Sequence, residues 1–184
     1  MNRMINIIKL AFFVFLAYAS IDSFAAPTIE SWETQKGTRV LFIAAPEIAM
    51  LDVRVTFDAG SARDGATKGL ASATNQLLVE GAGPYDADMF SALLGRTGAI
   101  LENGTRRDMA FMGIRTLTEP DNLRASLDLL RLAVINPRFD ENAVARVKAQ
   151  TIIRMRVASQ QPGAIAEQEF YRQLYDGHPY GSPP

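Results

Sequence analysis

Cysteine is absent from the sequence. That excludes disulfides, thiolate metal sites and cysteine nucleophiles. Histidine occurs once, at His178. A zinc site built on several imidazoles is therefore out of reach. The charges nearly balance, with a formal net charge of −1, so the basic face that nucleic acid requires is missing. No internal repeat or low-complexity linker interrupts the chain. Beyond the first 25 residues no apolar run approaches the ~20 residues that a membrane-spanning helix needs.

What is present is globular. The chain has 184 residues, 48% apolar and 21% charged, enough for one domain with a real core. The N-terminus carries Arg3 and Lys9, then the apolar run "LAFFVFLAYA", then Ser23 and Ala25 as small residues two apart. This charged, apolar, small-residue order is that of a secretory signal peptide cleaved after Ala25. It implies a periplasmic or secreted protein. Removing residues 1–25 leaves a mildly acidic mature domain, residues 26–184, with no span.

Strands and helices alternate. "IESWETQ" and "RVLFIAA" read as a hairpin around Lys36-Gly37-Thr38. "MLDVRVTFDAG" sets Leu51, Val53, Val55 and Phe57 on one face and charged residues on the other, a half-buried strand. A short run at Ala99–Glu102 and a longer one at Arg107–Leu117 flank Asn103-Gly104, an ordinary hairpin turn. Asn103-Gly104-Thr105 also matches a glycosylation sequon, and the turn is the preferred reading. Helices are expected at Gly69–Glu80, capped by Gly81 or Gly83, and at Ala87–Thr97 with Met89 and Leu93 on one face. Others follow at Asp121–Val134, stopped by Asn136-Pro137, at Asp140–Gln160 with Val144, Val147, Thr151 and Met155 as its apolar stripe, and at Ala164–Tyr175. The fold class is α+β: a mostly antiparallel sheet with helices packed on one face. The turn-rich end "DGHPYGSPP" suggests a fragment of something longer.

The motifs then become specific. "VTFDAGSARD", "GLASATNQLLVEGAG", "ENGTRRDMAFMGIRTL", "INPRFDEN" and "HPYG" follow in order between Ile29 and Pro184. Together they resemble the first, N-terminal domain of the pitrilysin/insulinase-type zinc peptidases, the inverzincins. In active members the helix after Gly-Leu-Ala carries H-x-x-E-H: two histidines bind zinc and the glutamate is the general base. Set on this sequence, the pattern puts Ser72 and Gln76 at the histidines and Asn75 at the glutamate. A glutamate on the long later helix completes the metal site in the family. Here no acid lies between Glu141 and Glu167, and Arg154 falls at or near the ligand position. A hydroxyl and neutral amides are poor zinc ligands, Asn75 cannot take a proton from water, and Arg154 would repel a divalent cation. The resemblance therefore implies no metal, no cofactor and no catalytic residue in this chain.

His178 sits in turn chemistry, and a Ser72–His178 pair has nothing behind it. Asp58, Arg63 and Asp64 read as a structural turn network. Arg146, Lys148, Arg154 and Arg156 read as solvated or paired. The family is built from repeated domains of this size. Two make a half, and two halves close around an unfolded peptide. In many members the halves are separate chains, of which one keeps the zinc motif. The resemblance implies a non-catalytic subunit that builds the peptide chamber with an H-x-x-E-H partner, and a second domain beyond this one. A structural or assembly protein on the same fold is the alternative, with an active metalloendopeptidase third. Leu101, Glu102, Asn103 and Gly104 resemble the edge strand to which family members add a peptide as an extra strand.

Overall fold

A computed structural model describes residues 27–181. The proposed signal peptide lies outside the described residues. The chain divides into two compact units at Ile48/Ala49. The first holds a hairpin of β1 (Ile29–Glu33) and β2 (Arg39–Ile43). Its strands pair antiparallel, with Ser31 opposite Leu41, and the rings of Trp32 and Phe42 meet at 6.5 Å.

The second unit is built on an antiparallel sheet ordered β3-β7-β6. Its strands are β3 (Met50–Phe57), β6 (Ile100–Thr105) and β7 (Ala110–Leu117). Two two-residue strands, β4 (Gly81–Ala82) and β5 (Tyr85–Asp86), form a small separate ribbon. The helices are α1 (Leu70–Leu77), α2 (Ala87–Thr97), α3 (Pro120–Ile135), α4 (Glu141–Ala158) and α5 (Pro162–Leu174).

Register sorts the sheet into two faces. Val53 pairs with Ile114, Val55 with Met112, and Leu101 with Ile114. Those side chains share the face on which α3 and α1 lie. The main core gathers Phe90, Met112, Ile114, Leu129, Leu130 and Ala133, all buried. A second, smaller cluster of Leu77, Ala143 and Val147 joins α1 to α4. The opposite face of the sheet is charged. Arg115 donates to Asp52 from its cross-strand position, at 2.6 Å, and holds that carboxyl below its ordinary range. Arg54 reaches Glu102 and lies over the Phe111 ring.

Several sequence expectations need correction. Asn103-Gly104 is not a turn: both residues lie within β6, opposite Met112 and Phe111. The turn falls at Arg106–Met109, closed by Arg106 N donating to Met109 O at 2.7 Å. Gly104 is needed for space, because a Cβ there would stand 2.9 Å from the Phe111 ring. Helix α1 ends at Leu77, short of Glu80. Gly81 and Gly83 do have positive φ, 111° and 55°, but they serve the β4–β5 ribbon rather than a helix cap. There Arg138 N donates to Gly81 O, and Gly83 N to Asn136 O. The inward side chain of α2 is Phe90, 1% exposed, and Met89 faces out. On α4, Ala143 and Val147 are buried while Val144 and Met155 are exposed. Neighbouring elements selected which of several apolar residues turned inward.

Gly60 marks the tightest backbone approach to the β6–β7 turn. Its φ of −81° is open to any residue, yet a Cβ would lie 2.2 Å from Arg107 O. Gly60→Ala is expected to destabilise the protein by about 1–3 kcal/mol through overpacking. Gly95→Ala, inside α2 with nothing near its Cβ, is expected to stabilise it by about 0.5–1 kcal/mol. Denaturant midpoints of the two variants check both signs.

Candidate functional site

Helix α1 begins at Gly69, whose left-handed φ of 84° leaves no side-chain cap of its own. Asp64, five residues earlier and 7% exposed, supplies it. Its two oxygens accept from Gly69 N and Ala71 N, each at 2.8 Å. A carboxylate at this end also complements the helix dipole. Asp58 and Arg63 form the expected turn network beside it, with Arg63 Nε donating to Asp58 Oδ1 at 2.9 Å.

The helix then docks through Asn75, which is 3% exposed. Asn75 Nδ2 donates to Phe111 O at 3.1 Å. Asn103 Nδ2 donates to Asn75 Oδ1 at 3.0 Å and to Asn75 O at 2.7 Å. Phe111 O can only accept, so the amide orientation follows from the bonding. Asn75 thus ties α1 to both β7 and β6.

One residue on from Asn75, the chain turns outward. Gln76 Nε2 donates to Ser72 Oγ at 3.2 Å. Arg154 of α4, 78 positions after Gln76, donates from one guanidinium nitrogen to Gln76 Oε1 at 2.7 Å. The same nitrogen donates to Thr151 Oγ1 at 3.0 Å. The structure therefore brings Ser72, Gln76 and Arg154 into one hydrogen-bonded chain. Asn75 stands beside it, turned into the sheet. Arg146, a little over two turns before Arg154 on α4, pairs with Glu80.

These residues do not fit a zinc ion. The donor set is a hydroxyl, an amide and a guanidinium, where zinc takes imidazole, thiolate or carboxylate. Among the described residues no group of three His, Cys, Asp or Glu side chains could hold a metal. His178 lies elsewhere in the fold, where its Nδ1 accepts from Tyr180 N at 3.2 Å and its ring packs on Tyr180. The His178–Gly181 segment is tied to the β6–β7 turn. Arg107 donates to Tyr180 O at 3.2 Å, and the Tyr180 hydroxyl donates to Asp108, a hydrogen bond that raises the phenol above its ordinary range.

Leu101, Glu102, Asn103 and Gly104 all lie on β6, an edge strand of the sheet. Asn103 spends its amide on Asn75 and Glu102 meets Arg54. Sequence reading missed the Asp64 cap, because five residues is not the usual capping distance. It also missed the Asn75–Asn103 link, since Asn103 read as a turn residue.

Comparison with known families decides the ancestry. A model of the insulinase family of peptidases, M16, matches residues 39–183. The chain belongs to the M16 family. A crystal structure described as a peptidase M16 inactive domain, from Pseudomonas fluorescens, is 35% identical over 84% of this chain and 37% of its own, with a TM-score of 0.82. Two more distant structures of similar fold are a protease from Helicobacter pylori and pitrilysin. The first is 21% identical with a TM-score of 0.77, covering 86% of this chain and 38% of its own. Pitrilysin is 20% identical with a TM-score of 0.69, covering 86% of this chain and 17% of its own. No curated protein matches this chain. The chain spans well under half the length of these M16 structures.

Asn75 must both donate and accept. Asn75→Asp keeps the shape and the acceptor but loses the donor to Phe111 O, and is expected to cost about 1–3 kcal/mol at neutral pH. Facing a carbonyl oxygen raises the folded-state pKa of the introduced carboxyl. The deficit is thus present above that pKa and shrinks as pH falls toward the ordinary Asp range near ~4, where the neutral acid regains a donor. Thr74→Ala, at an exposed position on the same helix, should change stability by less than about 0.5 kcal/mol. Denaturant melts across pH check both.

Proposed function

We propose that this chain is a non-catalytic subunit of a periplasmic M16-type zinc metallopeptidase, forming the peptide-binding chamber with a partner chain that carries H-x-x-E-H. The observation that carries the reading is the Ser72–Gln76–Arg154 chain. Set on the family motif, these residues fall at the metal-ligand positions, and they are groups that bind zinc poorly, while α1 stays docked on the sheet through Asn75. A relative from Pseudomonas fluorescens described as an inactive domain is consistent with such a role. The order of residues 1–25 supports export, and among the described residues no helix is long and apolar enough to cross a membrane.

Substrate would be held by backbone. The β6 edge offers main-chain groups to an extended peptide, a mode that tolerates varied side chains. Leu101, Glu102, Asn103 and Gly104 would form that edge, with Asn103 anchoring the strand to α1 rather than reading the peptide. A structural or assembly protein on the same fold is the second reading. It is favoured only by the absence of usable catalytic groups, which both readings share.

Affinity capture of the full protein from the periplasmic fraction of its own host separates them. The expected prey is an H-x-x-E-H chain, and the pair should cleave an unfolded peptide in a chelator-sensitive way while the bait alone does not. Zinc-dependent cleavage by the bait alone would overturn the proposal. So would a stable complex whose members all lack that motif.

A further inference from the structure

The chain that replaces the metal ligands is not chemically blank. Gln76 Oε1 is taken up by Arg154 and Ser72 Oγ accepts from Gln76 Nε2. What remains outward is a set of donors: the Ser72 hydroxyl proton, the second Gln76 amide proton, and the Arg154 nitrogens that make no protein bond. Arg154 makes both of its hydrogen bonds from one guanidinium nitrogen. Its Nε and the other terminal nitrogen are uncommitted among the described residues.

Charge points the same way. On the same helix Arg146 meets the carboxylate of Glu80. Arg154 meets none among the described residues, and the sequence places no acid between Glu141 and Glu167. Arg154 is exposed, while Ser72 and Gln76 are half-buried. Both hydrogens of the committed Arg154 nitrogen go to Gln76 and Thr151, and each bidentate face of a guanidinium uses that nitrogen. Nε and the other terminal nitrogen therefore remain as separate, charged single donors that an anionic oxygen can accept from.

Position gives the site a route to a ligand. Ala71 O and Asn75 O, on the sheet-facing side of α1, accept from Thr105 and Asn103 of β6. Ser72 and Gln76 are each one residue further round the same helix. They therefore flank the strand proposed above to hold a peptide.

We propose that Ser72, Gln76 and Arg154 form a carboxylate-binding centre that takes a carboxylate of a peptide lying along β6, at its C terminus or on an acidic side chain. The centre anchors a peptide by its negative end instead of polarising a carbonyl for hydrolysis. This rests on the reading of β6 as a peptide-binding edge.

The test uses the full mature protein and a short unstructured fluorescent peptide in three forms: the free acid, the C-terminal amide, and the amide with one glutamate near its end. Charge-assisted hydrogen bonds predict that the free acid binds the wild-type protein roughly tenfold to a hundredfold tighter than the plain amide. Recovery of affinity in the glutamate form assigns the site to either kind of carboxylate; no recovery assigns it to the C terminus alone. Arg154→Gln should erase the preference, and Arg154→Lys, which keeps the charge but not the separate planar donors that hold Gln76 and Thr151 while others stay free, should retain only part of it. Equal binding of all three peptides by the wild type overturns the carboxylate centre and leaves the peptide-binding edge standing. A preference that survives Arg154→Gln overturns it too. Failure of every form to bind overturns the centre together with the edge, and leaves partner capture to decide the subunit reading.

Discussion

The side chain of Asn75 has to donate in one direction and accept in the other. Phe111 O on β7 takes its proton, and Asn103 on β6 supplies one. An amide meets both demands at once, and a carboxylate meets only one. This joint sets the rotation of α1 on the sheet. That rotation turns Leu77 onto Ala143 and Val147 and sends Ser72 and Gln76 toward Arg154. A glutamate in this position would serve a metal-bound water. The asparagine found here holds the helix on the sheet.

The contact between α1 and α4 then has little apolar area behind it, only three buried residues. Polar pairs at its edges complete it: Arg154 with Gln76 and Arg146 with Glu80. In a zinc-bearing relative of the kind the motif describes, a cation would link the two helices. Here the cation is covalently part of α4. An arginine in this place keeps the helices joined and keeps divalent metal away by the same charge. Ser72, Gln76 and Arg154 thus act together at this contact, with Asn75 holding the helix beside them.

The fold was largely readable in advance because its signals are periodic. The alternation from Leu51 to Phe57 gave β3 and its buried face, and the Leu-rich run before Asn136-Pro137 gave α3. What failed were choices made by neighbours. Phe90 rather than Met89 turns inward because the core of β7 and α3 meets α2 on that side. Asn-Gly at 103–104 is a strong local turn signal, yet a strand won, because Phe111 needs the missing side chain and Asn75 needs the amide. The motif named Ser72, Gln76 and Arg154, and the structure brings these three together. The hydrogen bonding among them was not legible, since nothing in a sequence says that Gln76 will hand its oxygen to Arg154.

The most direct measurement is zinc stoichiometry on tag-free mature protein beginning at Ala26, after equilibration with zinc and removal of loosely held metal. A protein without bound zinc is the result this account predicts. About one tightly held zinc per chain would contradict it, and would mean that ligands other than Ser72, Gln76 and Arg154 have rebuilt the centre.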